Sequence, residues 1–352
     1  MTSRIVILYD QPSPLFPWTA EADPMVTLHV VKGYLTEEGY HVSLVPVGED
    51  PAPVLAALRE LEPDAIFNLC EGSVERPENE AFTASLVEWL NIPATGCPEI
   101  PMRLCLNKPL AKLLLRGAAL PTPDFFVVEG RSTTPCPLPW PVIVKPAAQD
   151  GSAGIEQASV VTSQRQMEER IDWVVREYGG PVLIEEFVSG RELKVGMIEL
   201  PDLRPLPISE IRHLDGANGY WPVVTYEAKW ETGSRDDLAT PRCIPDDLPP
   251  ALVEKLQTMA LKAFRLFGCR DFASVDFRLD KNGEPTILEV NPNPDFNPGA
   301  GFAAQLEAAG LTHRQFTLEL VRAALRRPRW RPVPPTTPAL ATVAPVPNPS
   351  LA

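Results

Sequence analysis

The chain has 352 residues, which is long enough for two or three domains with hydrophobic cores of their own. Hydrophobic residues make up 44% of it and charged residues 22%, which is typical of a soluble globular protein. The formal net charge of −14 argues against nucleic acid and anionic membranes as partners, because both select a basic surface. No apolar run reaches transmembrane length, and the first apolar run is too short for a signal peptide.

The six cysteines show no Cys-x-x-Cys motif and no regular spacing. Such a set is typical of buried, reduced thiols, so we expect a cytoplasmic protein. The four histidines are scattered along the chain and do not form a zinc-binding pattern.

The N-terminal third alternates short apolar runs with helical patterns. Strands are predicted at Arg4–Tyr9, His41–Val47 and Ala65–Leu69, and helices from about Pro24 to Glu38 and over Pro53–Leu61. This alternation indicates an open α/β sheet, whose ligands bind beyond the carboxyl ends of the strands. Asn68, Glu71 and Gly72 are therefore candidates for the edge of a site, although a solvated turn explains them equally well.

The next region continues with a helix over Glu80–Leu90 and then a helix that begins after Asn107. Asn107 is a suitable N-cap, and a proline is tolerated in the first turn that follows it. A strand is predicted at Phe125–Val128.

Lys145 ends an apolar strand that begins at Trp140. A lysine that closes a buried strand needs an anion or a route to solvent. The glycine-rich segment Asp150–Gly154 follows, and backbone N–H groups of such loops can close over phosphates, although most are plain turns. The chain has no P-loop motif and no Gly-x-Gly-x-x-Gly, which disfavours those two nucleotide-binding folds.

Two later segments carry further candidates. A strand that begins at Pro181 ends in the acidic pair Glu185 and Glu186. The segment His213–Asp237 lacks periodicity and is too long for a plain connection, which predicts a lid or a binding loop. A long amphipathic helix is predicted over Pro249–Phe267, and the last helix over Leu318–Arg326.

The segment Ala273–Asn291 is predicted to form two strands joined by a tight turn. Apolar and polar residues alternate along the first strand, as expected of a half-buried strand. The pair Asn282-Gly283 favours a type I′ turn, which needs positive φ at both central residues. A bulge in the loop would shift the strand register by one residue.

With that turn, Asp276 lies opposite Glu289, and Ser274 lies opposite Asn291. Two facing carboxylates repel each other across a pair of strands. A hard divalent cation, usually Mg²⁺ with the phosphates of a nucleotide, would make the pair favourable, and Asn291 adds a third oxygen ligand. The alternative is that both carboxylates are ordinary solvated strand residues.

These motifs resemble those of the ATP-grasp superfamily, and specifically its D-alanine–D-alanine ligase branch. The resemblance covers roughly residues 67–325. It is carried by Phe-Asn-Leu-x-Glu-Gly from Phe67, Asn-Lys-x-x-x-Lys from Asn107, Leu-Pro-Thr-Pro from Leu120 and Glu-x-Asn from Glu289. It implies an α/β fold, α+β in the ATP-binding part, with three subdomains and the nucleotide between the central and C-terminal ones.

The domains expected from this resemblance are an N-terminal α/β domain over 1–104, a central subdomain over 105–186 and a C-terminal subdomain over 187–330. Residues 331–352 are rich in proline, alanine and threonine without a core pattern, which predicts a disordered tail. The oligomeric state is left open, with a homodimer as one option.

The resemblance also implies roles for single residues. Lys108, Lys145, Gly151, Ser152 and the lid residue Lys229 would bind the nucleotide phosphates, and Lys229 is also a catalytic candidate. Glu185, Glu186 and the backbone around Phe187 and Val188 would meet the adenine, and Glu192 the ribose hydroxyls. Asp276, Glu289 and Asn291 would bind Mg²⁺ or Mn²⁺.

Three features depart from the family pattern. Ser274, the second catalytic candidate, stands where the dipeptide ligases place an arginine that stabilises the tetrahedral oxyanion. The loop Tyr9–Asp23 lacks the family's Gly-Gly-x-Ser-x-Glu motif, so Glu21 or Glu71 would have to replace its glutamate. The loop after Asn291 is Pro-Asn-Pro-Asp-Phe-Asn-Pro-Gly, unlike the family loop that holds the second carboxylate.

We therefore expect an ATP-dependent ligase that joins an amino acid or another small carboxylic acid to an amine through an acyl phosphate. The departures make D-alanine a doubtful substrate. Two alternatives remain open: a nucleotide-binding regulator with no ligation, and a kinase that phosphorylates a small metabolite.

Overall fold

The computed structural model describes residues 2–11, 24–72, 76–214, 216 and 219–329. Glu21 and the predicted tail over 331–352 lie outside these residues. Within them, the chain forms three β-sheets with helices packed against them. None of the helices combines the length and the apolar character needed to cross a lipid bilayer.

The first sheet has three parallel strands in the order β2-β1-β3. Its strands are β1 (Arg4–Asp10), β2 (His41–Val47) and β3 (Ala65–Asn68), and the helices beside them are α1 (Pro24–Glu37), α2 (Ala52–Leu61) and α3 (Asn79–Trp89). The predicted α/β alternation is confirmed. The strands end at one edge of the sheet, where the Asp10 carboxylate accepts a hydrogen bond from the Glu71 N–H at 2.6 Å.

The second sheet has four antiparallel strands in the order β4-β7-β5-β6. Its strands are β4 (Phe125–Val128), β5 (Val142–Pro146), β6 (Val160–Val161) and β7 (Val182–Glu186). Helices α4 (Glu99–Leu106) and α5 (Lys108–Gly117) precede the sheet, and α6 (Gln164–Tyr178) connects β6 to β7. Asn107 caps α5 as predicted, because its side chain accepts from the Leu110 N–H at 3.1 Å.

The third sheet has the antiparallel order β11-β10-β8-β12-β13, with β9 paired to β8. Its strands are β8 (Glu192–Glu199), β9 (Leu203–Pro205), β10 (Ser209–Ile211), β11 (Arg242–Cys243), β12 (Phe272–Leu279) and β13 (Pro285–Asn291). Its helices are α7 (Tyr226–Trp230), α8 (Arg235–Leu238), α9 (Pro250–Phe267), α10 (Gly301–Ala308) and α11 (His313–Arg326). Each predicted domain contains one of the three sheets, whereas the domain boundaries themselves stay a prediction.

The turn between β12 and β13 is not the predicted type I′ turn. Gly283 has a φ of 78°, but Asn282 is not among the residues with positive φ. The Asp280 N–H donates to the Glu284 carbonyl at 2.8 Å, so that three residues rather than two form the loop. The prediction was wrong because Asn-Gly also suits a three-residue loop, in which only the glycine is left-handed.

A β-bulge restores the predicted register further along the same hairpin. Phe277 pairs with Ile287, one residue away from the pairing that a type I′ turn would give. The extra residue, Leu288, has no partner on β12, and beyond it Asp276 pairs with Glu289 as predicted. The extra residue in the loop and the extra residue at the bulge therefore cancel at the end of the hairpin that carries Asp276 and Glu289.

Several helices are missing from the predictions or begin earlier than predicted. Helices α4, α6 and α10 were not predicted, and the predicted lid contains the two short helices α7 and α8. Thr225 and Ser234 cap α7 and α8 with their hydroxyls. Helix α11 begins at His313 rather than at Leu318, because Thr312 forms a capping box with Gln315.

An aromatic cluster joins the first and third sheets. Phe272, Phe296, Phe302 and Phe316 have neighbouring ring centroids 5.7–5.8 Å apart, and Phe67 of β3 contacts Phe296 at 5.7 Å. All five rings are at most 6% exposed. Each such pair adds about 0.5–1.5 kcal/mol beyond the burial of apolar area, so the cluster holds these two sheets in a fixed arrangement.

Candidate active site

A cleft lies between the second and third sheets. Residues from both sheets line it, among them Ile143, Lys145, Glu185, Glu186, Phe187, Val188, Glu192, Lys194, Asp276, Arg278, Glu289 and Asn291. Gly151, Ser152 and Lys229 also line the cleft. The structure therefore brings together the residues predicted for the nucleotide and the metal, except Lys108. Ser274 does not line this cleft, and neither do the other candidates, Asn68, Glu71 and Gly72.

Lys108 borders the cleft indirectly, from the start of α5. Its ammonium lies 3.2 Å from a carboxylate oxygen of Glu289 and lines a small neighbouring pocket with Asp150. Lys108 lowers the pKa of Glu289 to about 2, since the ammonium favours the charged carboxylate.

Ser274 does not line the cleft. The residue is 0% exposed and pairs with Gly196 and Asn291 on the neighbouring strands. Its hydroxyl has no hydrogen-bond partner within the described part of the chain. The sequence placed Ser274 correctly opposite Asn291, but the structure gives its hydroxyl no contact with the cleft.

The carboxylates of the hairpin face each other as predicted, and each of them has a lysine partner. Asp276 is 9% exposed, and Lys194 of β8 lies 3.1 Å from its Oδ2. Burial raises the pKa of Asp276 to about 6, while Lys194 opposes that shift. Lys194 was not predicted as a site residue from the sequence, although it follows Glu192 by two residues and lies on the same face of β8.

The donor set of the hairpin fits a hard divalent cation. The Oδ1 of Asp276 is buried and has no partner among the described residues. The side-chain Oδ1 of Asn291 accepts from the Asn293 N–H at 2.8 Å and keeps a second lone pair. No cluster of three His, Cys, Asp or Glu side chains lies in the described ranges, so an all-carboxylate site is not formed there. Two carboxylates and an amide oxygen are nevertheless ligands that Mg²⁺ accepts when phosphates and water complete its shell.

Lys145 belongs to a buried ion cluster on the second sheet. It pairs with Glu185, whose other oxygen lies 2.6 Å from Lys112. Lys112 also donates to the Thr122 hydroxyl at 2.9 Å. Burial alone would raise the pKa of Glu185, but Lys112 and Lys145 hold it below its usual range. Glu185 thus orients Lys145 at the wall of the cleft, a contact that the sequence did not predict.

An apolar slot lies beside the acidic pair. Ile143, Val160 and Val223 form a small hydrophobic cluster, against which Phe187 and Trp221 pack. The Phe187 N–H donates to the Pro141 carbonyl at 3.1 Å, so this amide is already used within the protein. Phe187 therefore contributes its ring to the slot rather than its N–H group.

Glu192 is buried together with two basic side chains. Its Oε2 pairs with Arg278 and lies 2.9 Å from the Nε2 of His213. Arg278 also donates to the Gly190 carbonyl at 3.1 Å. These contacts fix the carboxylate of Glu192 at the wall of the cleft. The sequence gave no indication of Arg278, because in a strand pattern it occupies an ordinary polar position.

The glycine-rich loop contacts the lid directly. Gly151 and Ser152 both have positive φ, 63° and 62°, which bends the loop toward helix α7. The Trp230 indole N–H donates to the Gly151 carbonyl at 2.8 Å, and the Tyr226 N–H donates to the Ile155 carbonyl at 2.9 Å. Helix α7 therefore lies on the loop with Lys229 at the cleft, as expected of a closed lid.

Comparison with known proteins places this fold and cleft in a family. The family model described as D-ala D-ala ligase C-terminus matches residues 114–322, more than half of the chain. The D-alanine--D-alanine ligase of Gluconobacter oxydans (strain 621H) is 30% identical over 295 residues, covering 83% of this chain and 91% of the relative. The uncharacterized protein y4sG of Sinorhizobium fredii is 27% identical over 326 residues, covering 91% of each.

Solved structures give the same fold. The D-alanine--D-alanine ligase of Bacillus anthracis complexed with ATP has a TM-score of 0.72 at 19% identity, covering 92% of this chain and 98% of that one. The corresponding enzyme of Coxiella burnetii has a TM-score of 0.66 at 17% identity, with 92% and 94% coverage.

The chain therefore belongs to the D-alanine–D-alanine ligase family of ATP-grasp proteins, and the resemblance inferred from its motifs is confirmed. As a member of that family it is an ATP-dependent ligase with small-molecule substrates.

Proposed function

We propose that this ligase joins a carboxylic acid to an amine through an acyl phosphate, with Mg²⁺ or Mn²⁺ held by Asp276, Glu289 and Asn291. The observation that carries the proposal is the pairing of Asp276 with Glu289 in a cleft that Lys145 and Lys229 also line. A substrate carboxylate would attack the γ-phosphate of ATP, and the amine would then displace phosphate to form an amide.

The metal ion, when bound, would neutralise negative charge on the transferring phosphoryl group. Asp276 and Glu289 are suited to hold it, because the unpartnered Oδ1 of Asp276 needs a positive neighbour. Lys194 and Lys108 stand beside these carboxylates and would keep the site compact before the metal and nucleotide arrive.

The lysines of the cleft would carry the remaining phosphate charge. Glu185 holds Lys145 at the wall, which supports a contact between its ammonium and the nucleotide phosphates. Lys229 sits on α7, which the contact between Trp230 and Gly151 holds against the glycine-rich loop. A lid in this position excludes water, which protects an acyl phosphate from hydrolysis until the amine attacks.

A non-ligating regulator is the second candidate function. Ser274 lies away from the cleft, and both carboxylates of the hairpin already have lysine partners. A protein of that kind would bind ATP without turning it over.

Release of ADP from ATP, measured with pairs of acids and amines, separates these functions. The ligase requires ADP release that depends on Mg²⁺, on the acid and on the amine together, with the amide detected by mass spectrometry. ADP release with the acid alone as acceptor would indicate a kinase instead. Mg²⁺-dependent ATP binding without any turnover would contradict ligation and favour the regulator.

A further inference from the structure

We propose that Arg242 binds the carboxylate of the amine substrate and so selects an amino acid as the acceptor. This inference rests on the proposed ligase function and names the substrate class of the same site. Arg242 stands on β11, at the edge of the third sheet, and was not among the residues predicted from the sequence.

In the described part of the chain, Arg242 is one of two cations of the cleft whose charges are not paired within the protein. The other, Lys229, lies 5.3 Å from the centre of the Trp230 ring and is the lysine proposed above for the nucleotide phosphates. Lys145 pairs with Glu185, Lys194 with Asp276, and Arg278 with Glu192. Arg242 is exposed and lines the same cleft, and its guanidinium has no hydrogen bond or ion pair in the part of the chain that the structure describes. A guanidinium that faces a cleft without a partner is available to an anionic ligand.

The position of Arg242 assigns it to one end of the cleft. That end, which we call the acceptor end, is lined by Pro294, Asp295, Ala300, Gly301 and Phe302, whereas the apolar slot and the acidic pair lie toward β5 and β7. The side chain of Arg242 passes over Gly301, since a Cβ on Gly301 would lie 3.4 Å from the Cδ of Arg242. The side chain of Arg242 therefore lies within contact distance of the end of the loop that follows Asn291.

The family pattern has an arginine at the position of Ser274, and this chain lacks it. Ser274 is fully buried, and its hydroxyl cannot reach the cleft from its place between Gly196 and Asn291. Arg242 reaches the acceptor end from a different strand, β11. The planar guanidinium can bind a carboxylate through two parallel hydrogen bonds, a geometry that a lysine does not offer.

A labelling experiment tests binding without knowledge of the acid substrate. The full-length protein, with Mg²⁺ and a non-hydrolysable ATP analogue, is treated with phenylglyoxal, and modification of Arg242 is followed by peptide mass spectrometry. Each standard amino acid, D-alanine and the matching carboxamides are the probes. At least one amino acid should slow the labelling of Arg242 about tenfold, as expected when a charge-assisted hydrogen bond is made, while its carboxamide should not.

Arg212 is the matched control. It is exposed, lies next to β11 through a hydrogen bond from its N–H to the Pro241 carbonyl, and does not line the cleft. Its labelling should not respond to any probe. The proposal is overturned if no amino acid protects Arg242, or if the carboxamide protects it equally well.

Kinetics of variants give the second readout. With the fastest acid and amine pair found for the wild type, Arg242→Gln should raise the KM of the amino acid about tenfold or more. The same variant should leave the KM of the carboxamide unchanged, and Arg212→Gln should leave both unchanged. Equal losses for the amino acid and its carboxamide would contradict the assignment. If the wild type turns over no pair at all, the proposed ligase function fails, and the labelling result decides on Arg242 by itself.

Discussion

The indole N–H of Trp230 donates a hydrogen bond to the carbonyl oxygen of Gly151 at 2.8 Å, which links helix α7 to the glycine-rich loop. The ring of Trp230 also packs on Gly151, where an added Cβ would lie 3.2 Å from the indole. The tryptophan therefore holds the lid against the loop together with the hydrogen bond from the Tyr226 N–H to the Ile155 carbonyl.

Trp230→Phe should loosen the lid, because it removes the N–H donor and keeps most of the ring. The lost hydrogen bond is worth about 1 kcal/mol, which corresponds to about a fivefold change in the fraction of closed lid. We expect the ratio of ADP formed to amide formed to rise, since water reaches the acyl phosphate more often. Trp89→Phe, at an exposed position on α3, is the control and should leave the ratio unchanged. An unchanged ratio in Trp230→Phe would show that the lid closes without this bond.

Glu289→Gln should keep the fold and lower Mg²⁺-dependent turnover by about 100-fold or more, since the loss of one metal carboxylate removes several kcal/mol of charge stabilisation. ATP should raise the melting temperature of the wild type only when Mg²⁺ is present, and it should not do so in this variant. Glu284→Gln is the matched control, because Glu284 lies at the other end of the same hairpin and pairs with Lys255. Normal turnover in Glu289→Gln would mean that the hairpin is structural.

Asp10 should make the stability of the protein depend on pH. Burial raises the pKa of Asp10 from 3.8 to about 7, although hydrogen bonds from the Glu71 and Gly72 backbone oppose the shift. Between these two pKa values Asp10 keeps its proton in the folded chain and releases it in the unfolded chain. The contribution of Asp10 to the free energy of unfolding therefore falls as the pH rises from 4 to 7.

Asp10→Asn removes this proton exchange. The free energy of unfolding of the variant minus that of the wild type should therefore rise by on the order of 2 kcal/mol from pH 5 to pH 8. This value is reduced for solvent screening. Urea unfolding at the two pH values measures the difference. If this difference falls between pH 5 and pH 8 instead, the Asp10 carboxylate is better stabilised in the fold when it is charged.

D-alanine should be a poor substrate. The acceptor end offers Arg242 and the loop after Asn291 in place of the family's arginine and carboxylate-binding loop. A misplaced charge-assisted hydrogen bond to the D-alanine carboxylate costs about 1.5–3 kcal/mol, so ADP release with D-alanine should be about 10- to 100-fold slower than with the best pair of substrates. Efficient formation of D-alanyl-D-alanine in a screen of acids and amines would refute this expectation.

The hairpin illustrates how far the sequence determines the site. The pairing of Asp276 with Glu289 was predicted correctly from a turn that was wrong, because the bulge at Leu288 cancels the extra loop residue. Alternation and turn residues identify which side chains share a face, but they do not count residues in a loop. The polar end of the hairpin was predictable because both of the residues that pair there lie within one local segment.

Residues that act through distant strands could not be found in this way. Lys194 and Arg242 reach the cleft because β8 pairs with β12 and because β11 adds an edge to β10. Nothing in the local pattern of either strand distinguishes these cations from surface residues. The burial of Ser274 was equally invisible, because it depends on the strands on both sides of β12.

The aromatic cluster around Phe296 has a consequence for how substrates enter and leave. It fastens the first sheet to the third, and the bonds from Arg327 and from the Gly96 N–H to Asp271 strengthen the same junction. We therefore expect these two sheets to behave as one rigid body. We expect the exchange of ADP for ATP to need the second sheet, with its glycine-rich loop and α7, to move away from the other two sheets.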